Sequence, residues 1–286
     1  MLWSETIAKS SAYLEGKNVP GAQTAAELLA ARLLGCGRGF LASYAQKEID
    51  GKRLAAMRRG LSRLQSGEPL QYVLGEWDFR HLELFCDRRA LIPRPETEGL
   101  VQLALEWLDA RRPDARPLVV DVGTGTGAII LSLAKECKNP AAFLGTDVSE
   151  DALELAAKNA ARNGLSGRVK FALADGLDDF DEPGSIDAIV SNPPYVTTAE
   201  WETLDPRVRD HEPRIALDGG GDGLEFYRRY LADALNLLKP GGAVFFEIGD
   251  TQGEAVRSLM EECGFSGIAV RKDLAGLDRY ATAILP

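Results

Sequence analysis

The stretch Ser191-Asn192-Pro193-Pro194-Tyr195 follows the apolar run AIV with an amide, two prolines and a phenol. The prolines fix φ and remove two N–H groups, so the segment is stiff and its carbonyls have few local donors to satisfy them. Read alone, it is compatible with a rigid turn capped by Asn192 or with a binding edge. A second group, Asp121-Val122-Gly123-Thr124-Gly125-Thr126-Gly127, sits where a buried strand turns into a helix. Glycines at such a turn let the backbone approach a ligand, and the helix beyond offers unpaired N–H groups. By itself that loop fits a plain βα turn equally well. Asp147 ends the next strand, about 20 residues on, where a carboxylate can accept hydrogen bonds from both hydroxyls of a ribose. It also competes with Ser149 to cap the following helix. Asp175 closes the third strand, beside Gly176. Three acidic strand ends repel phosphates and favour a positively charged nucleoside ligand, S-adenosylmethionine, over NAD or ATP.

These residues need a scaffold. At 286 residues with 45% hydrophobic content, the chain has enough apolar material for one large domain and a small one. The net charge of −10 opposes a broad grip on nucleic acid. Cys36, Cys86, Cys137 and Cys263 are far apart and form no CxxC pair, and the two histidines, His81 and His211, are too few for a metal site. The N-terminus lacks an apolar leader and no run reaches the length of a membrane span, which makes the cytoplasm the expected compartment.

Helical spacing recurs at Ile7, Ala8 and Tyr13, at Ala25 to Leu33, at Leu41, Tyr44 and Ile49, and at Leu54 to Leu64. This predicts a small N-terminal helical bundle. WDFRHLELF then reads as a half-buried hairpin. From Pro117 onward, PLVVDV, AFLGTD, RVKFAL, IDAIVSN, GAVFFEIG, GIAVRKD and RYATAIL alternate with helices. The fold class expected is α/β, with a seven-stranded, mostly parallel Rossmann-like sheet.

The combination of DVGTGTG, GTD and NPPY resembles class I S-adenosylmethionine-dependent methyltransferases that modify planar nitrogen. With LIPRPETE at 91–98, HEPRIALDGGGDGL at 211–224 and EIGDTQ at 247–252, the chain is more closely similar to the HemK/PrmC family, which modifies the glutamine of the GGQ motif in peptide chain release factors. The resemblance covers nearly the whole chain. It implies a helical substrate-recognition domain over 1–73, a hairpin linker over 74–92 and a methyltransferase domain over 93–286. It further implies a cofactor site of Asp121, Gly123, Thr124, Gly125, Thr126, Gly127, Asp147, Asp175, Gly176 and Asn192. Asn192, Pro193 and Tyr195 would be catalytic, and Asn192, Pro193, Pro194 and Tyr195 would hold substrate.

That assignment makes chemical sense. An amide nitrogen shares its lone pair with the carbonyl and is a poor nucleophile until its hydrogens are taken by acceptors. The Asn192 side-chain carbonyl and the Pro193 backbone carbonyl are such acceptors, and Tyr195 offers a ring for stacking. Transfer then rests on orientation rather than on a strong base.

Other residues keep two readings. Pro93, Arg94 and Glu96 to Glu98 either cap the cofactor's methionine end or open a helix; Glu212 and Arg214 either brace NPPY or form a surface ion pair. The family commonly places an aromatic residue after the aspartate at 175, where this chain has Gly176 and Leu177, so adenine contacts are expected elsewhere. The partner implied is a release factor, with no direct nucleic acid, no membrane, no metal and a monomeric enzyme. Alternatives are a ribosomal-protein glutamine methyltransferase and a nucleic-acid exocyclic-amine methyltransferase.

Overall fold

Apolar residues three and four apart fold the N-terminal part, in the computed structural model, into α1 (Trp3–Glu15), α2 (Ala22–Leu34), α3 (Gly51–Gln65) and the short α4 (Leu70–Leu74). The structure describes residues 1–111 and 116–286. Helix α2 buries Ala25, Ala26, Ala30 and Ala31, a small-residue face that admits close neighbours. Gly60 of α3 is part of that fit, because a Cβ there would stand 2.5 Å from Leu29 Cδ2.

The periodicity of Leu41, Tyr44 and Ile49 does not yield an α-helix. A 3-10 helix spans Arg38–Tyr44 instead. Ile49 lies outside it because Asp50 caps α3 by accepting from Arg53 N at 2.8 Å, which leaves Ile49 as the extended residue before the cap.

The chain forms two compact units, one of Met1–Glu76 with Asp205–His211 and one of Trp77–Leu204 with Glu212–Pro286. At the start of the second, β1 (Glu76–Phe79) and β2 (Leu82–Phe85) form a two-stranded sheet. Its turn is anchored by Arg80, whose guanidinium bonds both oxygens of Glu136 at 2.7 and 2.6 Å. The elements α5 (Thr97–Asp109), β3 (Leu118–Val122), α6 (Ala128–Glu136), β4 (Ala142–Asp147), α7 (Glu150–Arg162), β5 (Val169–Leu173) and β6 (Ile186–Ser191) follow. Two short helices, α8 (Thr198–Thr203) and α9 (Pro206–Arg209), precede α10 (Glu225–Leu237), β7 (Leu238–Glu247), α11 (Gly253–Glu262), β8 (Ser266–Lys272) and β9 (Asp278–Ile284).

The seven-stranded sheet has the order β5-β4-β3-β6-β7-β9-β8, parallel except for β9, which runs antiparallel to both neighbours. Period-two alternation sends Val119, Val190 and Phe245 to a core with α5 and α6. Val120, Val122, Ile189, Val244 and Phe246 pack on the other face with α10 and α11. With both faces covered, the central strands read as nearly continuous apolar runs. The turning of strand order on either side of β3 matters most for the site. The chain leaves β3 toward β4 and β5, then returns to place β6 on β3's other side, so the loops after β3 and β6 diverge and open a crevice.

Candidate active site

Both loops at that crevice are shaped by their own residues. Gly123, Gly125 and Gly127 adopt φ of 73°, 55° and 81°, in the left-handed region that side chains strain to enter. The loop is pinned to β4: Gly123 N and Thr124 N both donate to the Thr146 carbonyl, at 2.9 and 2.8 Å. From behind, Asn159 of α7 donates to the Thr126 carbonyl at 2.9 Å while exchanging hydrogen bonds with Phe85.

Asp121 is wholly buried, and its Oδ2 accepts from the Thr124 hydroxyl at 2.6 Å. Burial pushes its carboxyl up to about 7, against the opposing pull of the Thr124 hydroxyl. Asp147 accepts from Gly125 N through Oδ2 at 2.9 Å and from Ser149 N through Oδ1 at 3.0 Å. It does not cap α7. Ser149 does that, accepting from Ala152 N at 3.2 Å. Asp147 is therefore held in place with a lone pair left on each oxygen, and burial raises its pKa above the ordinary carboxylate range. Asp175 differs: its exposed carboxylate pairs with Arg229 Nη1 at 2.7 Å, and that arginine also holds Asp178.

The NPPY loop is braced by two segments downstream of it. Gly219 N donates to the Val196 carbonyl at 2.7 Å and Val196 N to Leu217 O at 3.0 Å. A Cβ on Gly219 would sit 2.6 Å from the Pro194 carbonyl oxygen, so only glycine allows this approach. Gln252 completes the clamp, its Nε2 donating to the carbonyls of Tyr195 and Gly223 at 3.0 and 3.1 Å while its Oε1 accepts from Gly249 N at 2.9 Å. The two readings of Glu212 and Arg214 resolve differently. Glu212 is buried and accepts from Ile92 N at 3.0 Å and Arg94 at 2.5 Å, so it fastens the PRPETE segment rather than NPPY. Arg214 pairs at the surface with Asp218 at 2.7 Å and lies over the Trp201 ring.

A cavity of about 380 Å³ lies against both loops. Gly123, Thr124, Gly125, Thr126, Asp147, Asp175, Gly176, Asn192 and Pro194, all named from the sequence, line it. Asp121, Gly127, Pro193 and Tyr195 do not border it. Gly127 instead packs against Leu131 and Ala156, where a Cβ would approach to 2.9 and 3.3 Å. Tyr195 is half-buried against the core face of α10 and α11, and burial raises its phenol to about 12, which keeps it neutral. Pro93 and Arg94 line the cavity, whereas Glu98 accepts from Arg80 N at 3.1 Å, so the PRPETE segment both borders the site and starts α5.

Phe226 and Tyr230 of α10 line the cavity beside Gly176, whose Cβ would meet Tyr230 at 3.0 Å. These aromatics, with ring centroids 5.9 Å apart, occupy the neighbourhood where the sequence reading found none. Their spacing of four residues marked only a buried helix face, so nothing in the pattern told a ligand wall from core.

Asn192 is oriented by an unforeseen pair. Its Nδ2 donates to Thr97 Oγ1 at 3.3 Å, and the Thr97 hydroxyl donates to Glu247 Oε2 at 2.6 Å. Among the described residues, neither Asn192 Oδ1 nor the Pro193 carbonyl has a hydrogen-bond partner. The site thus presents two acceptors on a rigid edge next to a cavity.

The chain resembles known proteins along most of its length. A family described as "PrmC N-terminal domain" matches residues 5–75, and one described as "Methyltransferase domain" matches residues 115–277. The chain is 45% identical over 236 residues to the release factor glutamine methyltransferase of Agrobacterium fabrum, covering 82% of this chain and 79% of that one. It is 38% identical over 285 residues to that of Chlorobaculum tepidum, covering 97% and 96%. Among solved structures, the N-terminal domain of human METTL16 in complex with SAH superposes with a TM-score of 0.54 at 20% identity, over 77% of this chain and 82% of that one, a likeness of fold.

Proposed function

The chain belongs to the release factor glutamine methyltransferase family, and on that premise we propose that it transfers a methyl group from S-adenosylmethionine to the side-chain nitrogen (N5) of the glutamine in the GGQ motif of peptide chain release factors. The observation that carries the chemistry is Asn192 Oδ1, an acceptor without a partner among the described residues on a side chain that lines the cavity, followed in the chain by the likewise unpartnered Pro193 carbonyl.

The residues present fit the cofactor. The cavity falls within the roughly 300–1,000 Å³ of small-molecule sites. Asp147 has an acceptor position left on each oxygen for a ribose diol, and Phe226 and Tyr230 offer flat apolar surface for a purine. Thr126 and the first turn of α6 present a positively polarised helix end suited to a carboxylate. Arg89, Arg94 and Arg229 each face a carboxylate partner of their own, so the cavity's cations are not free to bind phosphate.

S-adenosylmethionine, when bound, supplies the methyl as an electrophilic carbon on a sulfonium. The chain's part is positioning. Asn192 Oδ1 and Pro193 O accept the two hydrogens of the glutamine amide and so turn the face of its nitrogen toward the cavity. Pro193 and Pro194 hold that edge still, and Tyr195, packed on the core, anchors its far end. The nitrogen becomes acidic once methylated, so its proton can pass to solvent.

In this reading residues 1–73 recognise the protein substrate, 74–92 link, and 93–286 carry the chemistry. Among the described residues no helix is long and apolar enough to cross a membrane, and a translation factor as substrate supports a cytoplasmic enzyme. The test is methyl transfer from labelled S-adenosylmethionine to a release factor, to the same factor with its GGQ glutamine replaced, and to duplex DNA. Label on the intact factor alone is expected. Label on the replaced factor or on DNA would overturn the substrate assignment.

A further inference from the structure

We propose that Glu247, acting through the Thr97 hydroxyl, determines which end of the Asn192 amide faces the substrate, so that Thr97 and Glu247 are positioning residues for methyl transfer. The inference rests on the proposed role of Asn192 as acceptor of the glutamine's hydrogens. An amide is nearly symmetric in shape, and its two ends differ only in that one accepts and the other donates. Turned over, Asn192 would aim N–H groups at the N–H groups it must accept. Something in the site has to tell the two ends apart.

Thr97 alone cannot do so, because a hydroxyl both donates and accepts. Glu247 removes the ambiguity. As a carboxylate it only accepts, so it takes the Thr97 proton at 2.6 Å and leaves Thr97 Oγ1 as an acceptor facing Asn192. Asn192 must then present Nδ2 to Thr97, at 3.3 Å, and Oδ1 to the substrate side. All three residues are tied to different elements: Glu247 ends β7, Thr97 starts α5 and Asn192 follows β6. Thr97 is 5% and Glu247 1% exposed, so water does not compete for the chain of bonds.

The arrangement also explains why a carboxylate is kept in the core without an ion pair. Among the described residues no cation bonds Glu247 directly; the charged and titratable groups around it are Arg94 and Glu96 ahead of α5, Tyr195 of the NPPY loop, Tyr227 of α10, and Arg279 and Tyr280 of β9. Burial dominates their combined effect and raises the Glu247 carboxyl to about 7, while the Thr97 hydroxyl and then Arg279 oppose the shift. Once protonated, Glu247 can donate to Thr97, Thr97 can donate to Asn192 Oδ1, and the amide loses its preferred sense. Turnover should therefore fall as pH drops through about 7, in kcat rather than in cofactor affinity.

The experiment compares wild type with Thr97→Val, Thr97→Ser and Glu247→Gln, measuring kcat and KM for the release factor from pH 6 to 8.5, with S-adenosylmethionine affinity by calorimetry. Thr97→Val should lower kcat about 100-fold at pH 8, the scale of losing one oriented polar contact in a transition state. Its cofactor affinity should stay within about threefold of wild type, and Thr97→Ser, which keeps the hydroxyl, should restore most of kcat. Glu247→Gln, which does not titrate, should lose the acid limb of the kcat profile. Full kcat in Thr97→Val, or an unchanged acid limb in Glu247→Gln, would overturn the proposal. A wild type that leaves the intact factor unlabelled fails the substrate assignment instead, so the two failures are separable.

Discussion

Asp147 and Glu247 are both carboxylates at the ends of parallel strands with pKa raised by burial, yet their surroundings divide their work. Asp147 is held by two backbone N–H groups, which aim it and oppose the upward shift that burial causes. Removing it as Asp147→Ala should weaken S-adenosylmethionine binding about 100-fold, the scale of two hydrogen bonds to a charged acceptor. Calorimetry checks this, with KM for the release factor changed by less than about threefold. Glu247 costs the fold something. Its folded pKa of about 7 lies above the ordinary 4.5, so the native state binds the proton more tightly than the unfolded chain does. Its stabilising contribution is complete below about 4.5, declines as pH rises from there, and is gone above about 7. Asp121 titrates in the same direction. Glu247→Gln should accordingly melt several degrees above wild type at pH 8, at roughly 2–4 °C per kcal/mol, and lose that advantage at pH 5. Calorimetric melting at the two pH values decides it, and an advantage that does not change with pH would mean that the gain is packing alone. The pH that favours turnover is thus the one that favours stability least, a trade common where a site keeps a buried charge.

At the scale of elements, the NPPY loop owes its shape to segments that arrive later in the chain. Gly219 has ordinary φ, so its need for glycine is purely steric: the Pro194 carbonyl and Tyr195 Cα occupy the space of a side chain. Gly219→Ala must push the loop outward by several tenths of an ångström, and kcat should drop about 100-fold, the scale expected of an ångström-sized misplacement. Cofactor affinity should hold, since neither Asp147 nor the glycine loop touches Gly219; equal losses in both would show that the damage is general. This bracing marks where sequence reading stopped. Strands such as LVVDV and IDAIVS, the turn glycines and the cap at Ser149 were legible because each follows from local spacing. The hairpin and the acidic end at Asp147 were legible for the same reason. The Thr97–Glu247 link joins residues 150 apart, and the Gln252 clamp on Tyr195 joins residues 57 apart, so no local pattern announces either. A capping box at Thr197 and Glu200, the T-x-x-E signature, starts α8, an element the sequence analysis does not name. Asp175 went the other way: its position promised a free acidic strand end, and Arg229, 54 residues on, neutralises it.

At the scale of the whole chain, one charge total conceals two populations. Residues 1–76 carry ten Lys and Arg against seven Asp and Glu, while the full chain stands at −10, so the remainder holds the entire acidic excess. Within the helical part, Arg58 and Arg59 on α3 are exposed and, among the described residues, make no ion pair, in contrast to Arg53 and Arg63, which bond Asp50 and Glu68. Long-range attraction of this kind governs encounter with a macromolecule far more than chemistry at a shielded cavity. If residues 1–73 recognise the release factor, the unpaired arginines are where that recognition would draw on charge. Replacing both, Arg58→Glu with Arg59→Glu, should raise KM for the release factor about tenfold at low salt and by much less at high salt, because screening removes the term being altered. A short peptide carrying the GGQ motif has no such surface to offer, so kcat/KM for the peptide should stay within about twofold of wild type. Steady-state assays with both substrates at two ionic strengths separate the outcomes. An equal loss on factor and peptide would assign these arginines to the fold rather than to recognition.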